Sequence, residues 1–117
     1  MTNPDVPDPG PVPVLTPRGD LDLDSLGPLT AQIEAATSGH GAVVLDASSI
    51  TFADSAFLRL VLTVHDQADL RIAAPSPPVH RLLHIVGADT FLQLHPTVED
   101  ALTAAESARG LLAPPRD

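Results

Sequence analysis

Apolar positions recur along this chain in two alternating rhythms. Val12, Val14 and Leu15 open with a strand signal that Pro13 and Pro17 interrupt. Proline cannot donate to a ladder, so this is expected to be an edge strand, ending at Gly19. Leu26, Leu29, Ile33 and Ala36 follow at helical spacing. Asp24 or Ser25 is the expected N-cap, Pro28 falls in the first turn, and Gly39 is the expected stop. Residues 42–47 are apolar except for Asp46, as in a parallel strand covered on both faces. A second helix is predicted over residues 55–67, with Leu58, Val61, Leu62 and His65 on one face and Asp54 as its cap.

The alternation continues. Residues 70–74 read as a strand stopped by Pro75. Ser76 then caps a helix with Val79, Leu82, Leu83 and Val86 on its apolar face and Gly87 at its end. Residues 91–94 form a short last strand. Thr97 caps a final helix with Val98, Ala101, Leu102 and Ala105 inside, and Thr97-Val98-Glu99-Asp100 resembles a capping box with Asp for the usual Glu. Strand and helix alternate four times, which predicts one α/β domain with a largely parallel sheet and right-handed crossovers. A Pro-rich leader is expected to be disordered over residues 1–11, the domain to fill 12–110, and a flexible tail to follow over 111–117.

Composition narrows the function. With 15 acidic and 6 basic residues the net charge is −9, which disfavours nucleic acid and anionic membranes as partners. All basic residues are Arg. The absence of Lys excludes a P-loop, a Schiff-base site and the chemistry of a response-regulator receiver domain. The absence of Cys excludes disulfides and thiolate chemistry. No run of about 18 apolar residues is present to span a membrane, and the N-terminus lacks the pattern of a signal peptide. A cytoplasmic location fits these features. No cofactor and no metal are expected. Aromatic residues make up only 3%, so Leu, Val, Ile and Ala must build the core.

Ser55 is the leading candidate for chemistry. It opens the second helix, where a hydroxyl is exposed and the amides favour an anion, so it is a candidate phosphate carrier. A hydrolase triad around Asp54 and Ser55 is disfavoured, since Ala53 and Phe57 stand where a nucleophile elbow has glycines. Asp46 is expected to cap its strand end. His80 and His84 are four apart on a helix, but no third metal ligand is placed by sequence. His65 reads as partly buried core, and His40 and His95 as loop residues. Arg59 lies off the apolar stripe, either as a partner contact or as a solvated residue.

Four motifs in order give the chain a likeness. Arg18-Gly19-Asp20-Leu21-Asp22, then the segment from Leu45 to Asp54-Ser55, then Ala74-Pro75 through Gly87, then Val98-Glu99-Asp100-Ala101-Leu102 resemble the STAS domain, and within it the anti-sigma-factor antagonists of bacteria. The resemblance implies a small mixed sheet of about four strands with four helices mainly on one face. It implies that an anti-sigma factor acting as a serine kinase binds the protein and phosphorylates it at Ser55, and that a PP2C-type phosphatase reverses the mark. Asp22, Asp54, Ser55, Ala56, Phe57 and Arg59 are the partner-binding candidates. The family's Asp-Ser-Ser/Thr-Gly is here Asp54-Ser55-Ala56-Phe57, and the sequence leaves open whether Phe57 enters the core or stands over the docking surface. The second helix is also short for the family. The usual first strand is missing or replaced by the leader, an open edge that invites dimerisation. The alternative is a divergent scaffold or assembly subunit, in a signalling complex or beside a transporter, that has lost the phospho-switch.

Overall fold

The computed structural model describes residues 11–108. Apart from Pro11, the expected leader and tail lie outside these residues. The elements are β1 (Val14–Leu15), β2 (Gly19–Leu21), α1 (Gly27–His40), β3 (Ala42–Asp46), β4 (Ile50–Ala53), α2 (Ser55–Gln67), β5 (Asp69–Ala73), α3 (Pro77–Ile85), a 3-10 turn (Ala88–Thr90), β6 (Gln93–His95) and α4 (Val98–Ala108).

Four strands form one sheet in the order β1-β3-β5-β6, and every pairing in it is parallel. The proline-flanked β1 is at the edge, as Pro13 and Pro17 require. β3 is central and its first four residues are fully enclosed. Val43 and Leu45 face a core shared with α1, α2 and α3. Ala42 and Val44 face a second core, where Ala101 and Ala105 bring α4 close to the sheet. Three helices thus cover one face and a small-residue helix covers the other.

Several local readings need correction. Gly19 does not end β1; it starts β2, at φ 80°. β2 and β4 form a separate two-stranded parallel ribbon that the alternating pattern did not reveal. Neither Asp24 nor Ser25 caps α1, whose N-cap position is Leu26 with no side-chain bond. α1 runs through Gly39 and stops at Gly41, where φ is 71° and the N–H bonds Thr37 O at 2.8 Å. In α2 the buried stripe is Phe57, Val61 and Val64, while Leu58, Leu62 and His65 are only half-buried. Ser76 holds the cap position of α3, but its buried hydroxyl lacks a partner among the described residues. Val86 is exposed instead of facing inward, and the last strand begins at Gln93, which leaves the exposed Phe91 in the loop before it. Thr97 does cap α4, accepting the Asp100 N–H at 3.0 Å.

Candidate functional site

The site is built by the start of α2 and by the ribbon beneath it. Asp54 has extended backbone geometry, and its Oδ1 accepts the N–H groups of Ala56 at 2.9 Å and Phe57 at 3.4 Å. Those donors have no partner within the helix, so the carboxylate fixes the first turn. Ser55 becomes the first helical residue and is exposed. Two residues on, Phe57 turns the other way. Its ring is 0% exposed and packs with Val61 and Ile50 in the main core. Of the two places left open for Phe57, it takes the core, and an enclosed ring offers nothing to a partner. Ala56 is half-buried and Arg59 is exposed.

The ribbon explains how Asp22 reaches this region. β2 and β4 pair with Leu21 opposite Ala53, so the chain leaves the two strands side by side, at Asp22 and at Asp54. Asp22 closes the turn that follows. Its Oδ1 accepts the N–H groups of Asp24 and Ser25, each at 3.1 Å, and Ser25 Oγ accepts the Asp22 N–H at 2.9 Å. This reciprocal pattern is that of a capping box. Thr51 donates its hydroxyl to Asp20 across the ribbon at 2.6 Å. Asp20 belongs to the Arg18–Asp22 motif, but its link to Thr51 was not readable in the sequence, since the pairing that unites them is long-range.

From this corner a groove of about 1060 Å³ runs between α1 and α2. Asp54, Ser55 and Arg59 line it with Leu23 and Gly27, and the buried Leu26, Ile33 and Val64 give it an apolar lining. Leu23 is 77% exposed and Phe52, on β4, is 47% exposed. Leu23 lines the groove, and Phe52 lies opposite Asp20 on the ribbon, so neither has a core to fill. Sequence alone could not separate them from core residues.

The remaining candidates lie elsewhere. Asp46 Oδ1 accepts from the Ser48 N–H and hydroxyl, at 3.1 and 2.8 Å, and so ends its strand as expected. The rings of His80 and His84 stack 6.3 Å apart, and His84 Nδ1 is 2.9 Å from Asp89. Among the described residues no group of three potential metal ligands occurs. His65 tilts against Phe91 at 6.0 Å. His40 is not in a loop but closes α1, and His95 lies on β6. There Arg71, nearly buried on β5, sits 3.0 Å from Asp69 and 3.3 Å from His95 Nε2. Burial, then the Arg71 charge, pull the His95 pKa below its ordinary value against the opposing effect of Asp100 and Asp69.

A family model described as "Mlab, STAS domain" matches residues 6–96. The chain is a STAS domain. A search of curated protein sequences gives no significant match. Among solved structures, this STAS domain is similar to an anti-sigma factor antagonist from Mycobacterium paratuberculosis at 26% identity, covering 89% of this chain and 97% of that one, with a TM-score of 0.71. It is similar in fold to the anti-sigma factor antagonist SpoIIAA in its unphosphorylated form (22% identity, 83% and 87% covered, TM-score 0.64). The STAS domain of a SulP transporter from Vibrio cholerae also shares the fold (15% identity, 85% and 84% covered, TM-score 0.63). No helix among the described residues is long and apolar enough to cross a membrane.

Proposed function

We propose that this STAS domain is a cytoplasmic protein-binding module of the anti-sigma-factor-antagonist type. It captures an anti-sigma factor with serine-kinase activity through the Ser55 corner and is released when Ser55 is phosphorylated. One observation carries the reading: Ser55 is exposed at a capped helix start, with the Asp22 turn delivered beside it by the ribbon. In the modification, Ser55 Oγ attacks the γ-phosphorus of a nucleoside triphosphate held by the partner. The Oγ–P bond forms, the bond to the departing nucleoside diphosphate breaks, and the hydroxyl proton passes to a neighbouring base. A PP2C-type phosphatase hydrolyses the ester and restores the binding form.

The phosphate adds close to two negative charges beside Asp54 and the Asp22 turn. A partner surface fitted to a neutral hydroxyl then meets charge and bulk together. Asp22, Asp54, Ala56 and Arg59 form the proposed contact set. The family glycine is replaced by Phe57, but that ring points inward and leaves the corner open.

The test is capture of the partner kinase by wild type, Ser55→Ala and Ser55→Asp. Wild type and the alanine variant are expected to bind, and the aspartate variant to lose binding. Equal capture by all three overturns the switch. A second reading, an assembly subunit without the switch, is favoured by exposed Ile85, Val86 and Phe91 at the end of α3 and in the loop before β6. It predicts a stable homo-oligomer in light scattering and no response to modification at Ser55.

A further inference from the structure

Arg59 stands one helical turn after Ser55 on α2, and both residues are exposed along the same groove. Residues four apart on a helix are neighbours, with Cβ atoms about 5–6 Å apart. The ion pairs of the described residues join Arg71 to Asp69 and His84 to Asp89. Arg59 therefore has no carboxylate at ion-pair distance among these residues. The other charged groups lining the groove are Asp54 and Glu34. Asp54 is committed to the first turn of α2 through its amide bonds, and Glu34 belongs to the opposite wall, on α1.

We propose that Arg59 is the intramolecular partner of the phosphate on Ser55. The guanidinium folds back one turn and takes the phosphate oxygens through paired N–H donors, a geometry that Arg supplies and Lys does not. This deepens the proposed switch and rests on Ser55 being the modified residue. In the unmodified protein Arg59 is available to an acidic group of the partner. In the phosphorylated protein it is occupied. The modification then removes a cation from the docking face in the same step that adds an anion, and the two changes act in one direction.

The test uses the full chain with phosphoserine placed at position 55 during translation, so no kinase is needed. Phosphorus NMR follows the second ionisation of the phosphate in wild type, Arg59→Gln and Arg59→Lys. The wild-type resonance is expected to titrate lower than that of the glutamine variant, by about half a pH unit. The lysine variant is expected to recover part of the difference through its charge. The unmodified variants should keep the wild-type unfolding midpoint, since Arg59 packs into no core. Coincident titrations in wild type and Arg59→Gln overturn the assignment. Partner capture by the same phosphoprotein is read separately. Loss of capture with coincident titrations leaves the switch standing without Arg59. Undiminished capture with separated titrations leaves the Arg59–phosphate pair standing and removes the switch.

Discussion

Asp54, Ser55 and Phe57 lie within one turn and face three ways: toward the backbone amides, toward solvent and toward the core. Phe57→Ala would leave a cavity beneath this turn and is expected to destabilise the domain by about 3–5 kcal/mol, read as a lower urea midpoint. A loss below 1 kcal/mol would mean that the ring does not anchor the turn. The cap was legible in the sequence because it is local chemistry: an Asp before an apolar-periodic run. The direction of Phe57 was not. Positions 57, 58, 60, 61, 62 and 64 are all apolar, so the helix is greasy around much of its circumference and its phase is ambiguous. Only the sheet beneath decides that 57, 61 and 64 face inward.

At the scale of elements, the long apolar strands were readable because burial on both faces leaves an unbroken run, as in 43–45. The β2–β4 ribbon was not. Its strands are three and four residues long, too short for a period, and their partnership crosses an intervening helix and strand. The element that positions the candidate site was thus the one sequence could not show. A pH dependence belongs to another pair of elements, β5 and β6. Arg71 can only donate, so its 3.3 Å contact is a hydrogen bond only while His95 Nε2 is unprotonated. Its folded pKa lies below 6.5. The contribution of this group to stability is therefore full above about 6.5 and is lost as pH falls through the depressed folded value. Urea midpoints at about pH 7.5 and 5.5 should differ less in His95→Gln than in wild type. An equal pH difference in both proteins would contradict this account.

For the molecule as a whole, β2 and β4 run parallel and pass into α1 and α2 by way of the Asp22 turn and Asp54. The candidate surface thus lies at the carboxyl ends of strands, the usual location of sites in α/β folds. The net charge of −9 gives the molecule as a whole a long-range field that would steer a partner of net positive charge, while the serine corner itself is proposed to meet a local acidic group. The association rate with the proposed kinase is expected to fall as salt rises from about 0.05 to 0.5 M, while dissociation changes little. A salt-independent association rate in stopped-flow measurements would point to a docking face governed by apolar contact around Leu23 and Phe52.

The inward benzyl group at position 57 has a consequence for recognition. Peeling the serine segment away as an extended strand would drag that group out of its oily seat into water. An enzyme acting on the hydroxyl must therefore take it in place, as a preshaped corner of a folded body. A free peptide spelling the same residues would lack the geometry that the proposed kinase would read.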